Sequence, residues 1–338
     1  MSETKLANRF NTEKHKPRIL LLADFPNWAY NTAAKAIVQH LSDEFDFRID
    51  HVSNQPDLNA WPFDLIYVFF WGEKYHRKFV RDPRRVIKQI SSHRWEFEED
   101  WKCGTPAEMV ERYLYDAATI TATSKRLQSI FSPYREVLWV PNGFEPTKFF
   151  HRKRSGELRI GWAGNENDQC KGLKDILIPA VGKDFKFYIA GGNLEHKEML
   201  EFYNSIDVLC IASIAEGEPL TLIEGMACGC FPVCVDVGIV PELVTHQDNG
   251  LIVNRTVSAF TEAFEWCKVN IDYVREAGER NARQLLRTRT WEETNVYWRH
   301  AFRSALQNSS YGFYQKIFDA TVRLTSNVLS YTLKRFHN

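Results

Sequence analysis

The sequence has no Cys-x-x-Cys pair, no apolar run of membrane-spanning length, no net charge and no complete Gly-x-Gly-x-x-Gly. Each absence removes a class of protein. The seven cysteines, at 103, 170, 210, 228, 230, 234 and 267, are odd in number and lie mostly in apolar runs. A zinc ribbon and a disulfide framework are thereby disfavoured, which leaves buried free thiols in a reducing compartment. No uninterrupted span reaches the ~18–20 apolar residues of a membrane helix. The chain is also polar and charged up to Pro17, with no apolar signal core, so a cytoplasmic location is expected. Basic and acidic side chains balance at 43 each, which argues against a protein that wraps a polyanion such as nucleic acid. Gly161-Trp-Ala-Gly164 does not supply the fingerprint that a dinucleotide-dependent oxidoreductase needs.

What is present is an alternation of strand-length apolar runs and helical segments, over a length suited to two domains. Residues 18–24 read as a strand buried on both faces, followed by a loop at 26–31 and a helix over 32–41. Further strands are predicted at 47–52 and 63–70, with a weaker one at 84–91. A helix follows at 106–115 and a β-rich run at 118–124. Ser124 caps a helix to Phe131, and the strand at 137–140 ends in a Pro-Asn-Gly turn. Periodicity disappears over 145–157, where His151-Arg-Lys-Arg154 is basic. Domain boundaries are therefore placed at 1–150, 151–290 and 291–338. The second series has strands at 158–163, 185–190, 206–213, 231–236 and 250–253, with helices at 173–179, 195–204, 257–269 and 271–287. This βα order predicts two doubly wound sheets with ligands at the carboxyl ends of their strands, in a cleft between domains.

Two features leave alternatives open. The aromatic fraction of 14% is high and suits either core packing or carbohydrate stacking. A basic cluster of Arg77, Lys78, Arg81, Arg84, Arg85 and Lys88 precedes an acidic run of Glu96, Glu98, Glu99 and Asp100. It reads as a mutually compensating surface or as a patch that holds a phosphorylated or membrane-borne acceptor.

The most informative stretch is Glu216-Gly-Glu-Pro-Leu-Thr-Leu-Ile-Glu224-Gly-Met-Ala-Cys-Gly229. An apolar strand precedes it. Pro219 suits the start of a helix, Leu220, Leu222, Ile223, Met226 and Ala227 make that helix mostly apolar, and Gly229 stops it. A helix start offers free N–H groups and a positive dipole end, an anion site. Carboxylates beside an anion site are costly unless they have hydroxyls to bind. A sugar nucleotide offers both phosphate and hydroxyls.

Taken in order, these segments resemble retaining glycosyltransferases of the GT-B fold, close to the large family four that uses nucleotide sugars. The resemblance rests on Val140-Pro-Asn-Gly-Phe-Glu-Pro-Thr-Lys-Phe149, Lys171-Gly172, Ala190-Gly-Gly192, Ile206-Asp-Val-Leu209, the E-x7-E pair Glu216 and Glu224, Gly250-Leu-Ile-Val253 and Trp291-Glu292. It is strong from about 137 to 298 and only topological before that.

The resemblance implies two Rossmann-like domains facing across a cleft, with a C-terminal helix crossing back to the first domain. It implies that Lys171 neutralises the donor diphosphate, with Asn165 and the turn Gly217, Glu218, Pro219 and Leu220 around it and the backbone N–H groups at the helix start after Glu218 cradling the phosphate. Glu224 would accept ribose hydroxyls. Glu216 would bind the transferred sugar and stabilise positive charge as the glycosidic bond opens. No cofactor and no metal are implied, only a UDP- or GDP-sugar as substrate. His93 is either a first-domain histidine near the donor sugar or a structural one. Two departures stand out. Asn165 occupies a position where many relatives have Arg, and the loop Asn27-Trp-Ala-Tyr-Asn31 replaces a glycine pair.

Residues 291–306 read as the crossing helix. Residues 313–337 are amphipathic and would either pack on the first domain or lie on a membrane surface. The expected function is transfer of a sugar to a hydroxyl acceptor in glycan or glycoconjugate assembly. A non-catalytic nucleotide-sugar binder is the alternative, and an epimerase on this fold a further one.

Overall fold

A computed structural model describes residues 16–26, 28–192, 194–195 and 197–309. The polar N-terminal leader and the amphipathic 313–337 segment lie outside the described residues. Two parallel sheets organise the chain. Strands β1 (Arg18–Ala23), β2 (Asp46–His51), β3 (Leu65–Val68), β4 (Val86–Ile90), β5 (Thr119–Ala122) and β6 (Val137–Trp139) form the first, in the order β2-β1-β3-β4-β5-β6. Strands β7 (Arg159–Ala163), β8 (Lys186–Ala190), β9 (Val208–Ile211), β10 (Phe231–Cys234) and β11 (Leu251–Ile252) form the second, in the order β11-β10-β9-β7-β8. These are the two Rossmann-like sheets that the βα alternation predicts.

Because side chains alternate along a strand, an apolar run with no polar face must be covered on both sides. In β1, Leu20 and Leu22 enter one core with Ile66 and Val68, while Ile19, Leu21 and Ala23 enter another with Leu65 and Tyr67. That second core is completed from the far end of the chain. Helix Trp291–Asn308 contributes Trp298, Ala301, Phe302 and Ala305, all fully buried. It thus crosses back onto the first sheet, and Trp298 Nε1 donates to the Pro141 carbonyl at 2.8 Å. The second sheet has a single large core, into which Phe144 and Phe149 also pack.

Several local expectations change. The first helix begins at Ala29, three residues before the predicted start. Asn31, read as loop, is buried inside it because the His51 ring nitrogen meets its side-chain oxygen at 2.9 Å. The helix after β8 begins at Met199. The basic cluster is largely consumed within its own domain. Lys88 is fully buried on Asp116 at 2.8 Å, Arg77 shares that carboxylate at 2.5 Å, Arg84 pairs with Asp82, and Arg85 donates to backbone carbonyls. Burial would raise Asp116, but His76, Lys88 and Arg77 outweigh it and hold the carboxyl well below the usual range.

In a doubly wound sheet, ligands bind where the strand order reverses, beyond the carboxyl ends. The first sheet reverses between β1 and β3, the second between β7 and β9. The loops after all four strands line one cleft.

Candidate active site

The cleft encloses about 840 Å³ between the two sheets. On the second-domain side, β7 runs into Gly164 and Asn165, whose side-chain oxygen accepts from the Asn167 N–H at 3.0 Å. Asp168 then caps a short turn through the Cys170 N–H, and Gly172 ends the turn at φ +74°. A side chain at Gly172 would collide with the Ala212 carbonyl, so the turn packs tightly against the end of β9. That packing carries Lys171 to Glu216: Nζ and Oε1 are 2.6 Å apart, and Ser213 Oγ donates to the same oxygen at 2.7 Å. Glu216 is 8% exposed, so its carboxylate is desolvated and requires these partners.

Beyond Glu216 the chain turns through Pro219, the N-cap, into helix Leu220–Ala227. No side chain caps this helix, and the Leu222 N–H is taken by the Pro219 carbonyl. The amides of Leu220 and Thr221 therefore head the helix without a partner inside it. Both residues line the cleft. The carboxylate of Glu218 serves a different purpose. It accepts from the Asn142 backbone and side-chain N–H groups, each at 2.7 Å, and from Arg289 at 2.9 Å. Burial pushes it up to about 8, opposed by Arg289 and the Asn142 donors. Arg289 also reaches Glu242 at 3.4 Å and lies 5.3 Å over the Trp139 ring. Glu218 thus ties the turn to both chain crossings between the domains.

The first domain contributes Asp24, Phe25 and Trp28 from the loop after β1, Tyr30 from the first turn of the helix that follows, Glu73 from beyond β3, and Ser91, Ser92 and Arg94 from beyond β4. Burial raises the Asp24 carboxyl above its usual range, against hydrogen bonds from nearby backbone N–H groups. Burial also raises Tyr30, whose hydroxyl lies 2.6 Å from Ser91 Oγ. Arg94 bridges the domains by pairing with Asp168, and it also pairs with Glu98.

The structure therefore gathers Asn165, Lys171, Glu216, Glu218, Pro219 and Leu220 around one cleft. Three residues singled out in the sequence stand outside its lining. Gly217 lies against the Ser91 carbonyl and Thr123, where a Cβ would not fit. Glu224 is buried one turn down the helix and accepts from Tyr203 Oη at 2.9 Å. His93 is buried behind the wall, with Nδ1 3.5 Å from Glu96 and burial lowering its pKa. Asp168, Arg94 and Arg289 carry no signal in the sequence as site residues. Asn142 and Ser213 do, one inside the Pro-Asn-Gly turn and the other at the end of an apolar strand.

Comparison with known proteins follows the same division. The family model for "Glycosyl transferases group 1" matches residues 180–284, in the second domain. No curated protein sequence matches the chain significantly. Among solved structures, sucrose-phosphate synthase from Thermosynechococcus elongatus superposes with a TM-score of 0.69 at 15% identity, over 86% of this chain and 99% of that one. Anabaena HepE in complex with UDP-glucose gives 0.62 at 13% identity, over 85% and 99%. A glycosyltransferase from Rickettsia africae gives 0.59 at 12% identity, over 87% and 100%. The chain thus has the GT-B glycosyltransferase fold, and residues 180–284 of its second domain match the group 1 glycosyl transferases.

Proposed function

We propose that the protein is a retaining glycosyltransferase that moves a sugar from a UDP- or GDP-linked donor to a hydroxyl acceptor without a metal, in glycan or glycoconjugate assembly. One observation carries the reading. The Lys171–Glu216–Ser213 group sits at the switch point of the second sheet, beside a helix head with unpaired amides, and faces the first domain across the cleft.

In this reading Lys171 leaves Glu216 for the donor diphosphate, and the amides of Leu220 and Thr221 take the remaining phosphate charge. Asn165 adds a donor but no charge. Glu216, released from its cation, then faces the sugar and stabilises the positive charge that develops at the anomeric carbon. The bond from that carbon to the phosphate oxygen breaks, and the acceptor oxygen bonds on the same face. The acceptor proton passes to the leaving diphosphate, so no strong protein base is needed and positioning does most of the work. Glu224, oriented by Tyr203, accepts the ribose hydroxyls. That role requires the ribose to reach below Leu220, and unchanged nucleotide affinity in Glu224→Gln would remove the assignment. His93 supports the wall behind Ser92. The HepE structure with UDP-glucose favours UDP as the first nucleotide to try.

The test is a thermal-shift screen of UDP, GDP and ADP and their sugars, followed by donor hydrolysis and transfer with and without EDTA. Stabilisation by one base and EDTA-resistant turnover are expected. Binding without turnover over a broad acceptor panel would favour a non-catalytic binder instead. No stabilisation by any nucleotide would overturn the reading.

A further inference from the structure

The cleft wall opposite Lys171 has no part in the donor chemistry above, yet it is chemically distinctive. Phe25 and Trp28 lie at its rim with ring centroids 4.8 Å apart, tilted by 36°, and they are 46% and 52% exposed. Large aromatic rings in mutual contact that remain open to water mark a place where something else is covered. Asp24 and Glu73 stand on the same wall, from the loops beyond β1 and β3. Ser92 lines it too: the residue is 7% exposed, and its hydroxyl has no partner among the described residues.

The balance of charge narrows what can bind there. Among the described lining residues the cations are Arg94 and Lys171. Arg94 is held by Asp168 and Glu98, and Lys171 by Glu216. A phosphate on the Asp24–Glu73 wall would meet two carboxylates and no free cation, in a site partly shielded from water. A sugar ring meets a matching surface. Its C–H face can cover the rings, and its hydroxyls can donate to Asp24 and Glu73 and pair with Ser92.

Resting on the glycosyltransferase reading, we propose that this wall is the acceptor subsite and selects a neutral, hydroxyl-rich sugar, stacked on Phe25 and Trp28, over a phosphorylated or carboxylated one.

Saturation-transfer NMR on the full chain tests this, with glucose and maltose against glucose 6-phosphate and glucuronate, in the presence of UDP. The neutral sugars should receive saturation on the protons of one ring face, and the charged ones should not. Trp28→Ala should weaken neutral-sugar binding about fivefold to tenfold, the worth of one aromatic contact, and Trp28→Phe should restore most of it. A melting temperature unchanged in Trp28→Ala would show that the fold is intact, as its surface position implies. Equal binding of glucose 6-phosphate, no transfer to any neutral sugar, or an unaffected Trp28→Ala in a folded protein would each overturn the proposal. Failure of UDP, GDP and ADP alike to bind would sink the glycosyltransferase reading. Sugar binding that depends on Trp28 would in that case still support the platform.

Discussion

Lys171 and Glu216 neutralise one another, so a donor diphosphate must compete with a carboxylate for that lysine. Lys171→Ala should raise the nucleotide Kd by about tenfold to a hundredfold, the usual worth of a charge-assisted hydrogen bond, as read by calorimetric titration. Glu216→Gln should tighten nucleotide binding, because Lys171 no longer has a carboxylate partner, and lower kcat by about a hundredfold to a thousandfold, as for loss of a transition-state electrostatic contact. A raised KM for the donor with kcat unchanged would make Glu216 a binding residue only. Arg289 acts through its pairing with Glu218 and Glu242. Arg289→Met leaves Glu218 buried with only the Asn142 donors. The carboxyl, already pushed up to about 8 by burial, then takes up a proton, and the change should cost about 1–3 kcal/mol of stability by urea denaturation. Lys171 and Glu216 were legible because each lies within a short local motif. Asp168, Arg94 and Arg289 were not, because their meaning arises only where separate elements converge.

Whole strands and helices were more legible than their ends. Apolar runs marked central strands such as β1, β3 and β9, since a run buried on both faces has no polar period to confuse it, whereas β4, with Lys88 and Gln89 inside it, read only weakly. Boundaries moved where tertiary partners satisfied polar groups, as His51 does for Asn31 inside the first helix. The basic cluster of the first domain was ambiguous for a similar reason. Its main counter-charge, Asp116, is distant in sequence and was not among the nearby acids considered. Asp116 provides a pH test. Its carboxyl is held below the usual value in the folded protein, so its contribution is present above the unfolded pKa and is lost as pH falls through the folded one. Asp116→Asn should therefore flatten the acid limb of the stability profile below about pH 4, as followed by thermal melts across pH. Trp298, fully buried with its ring N–H on Pro141, anchors the returning helix. Trp298→Ala should destabilise the protein by about 3–5 kcal/mol, measured by denaturant unfolding, with the first domain losing protection from hydrogen exchange.

At the scale of the whole molecule, the order of strands already implied two switch points, but not that the loops of one would meet those of the other. That arrangement depends on where the chain crosses between domains, and both crossings lie side by side. Phe144 N–H bonds the Arg289 carbonyl at 2.9 Å, and Trp291 N–H bonds the Phe144 carbonyl at 3.2 Å. Gly143 lies so close to Thr290 and Trp291 that no Cβ would fit. The two passages thus join the domains as a paired crossing rather than a single tether. Sliding one passage along the other would break both hydrogen bonds at once, so the register in which the two halves of the cleft face each other is set at the crossing itself.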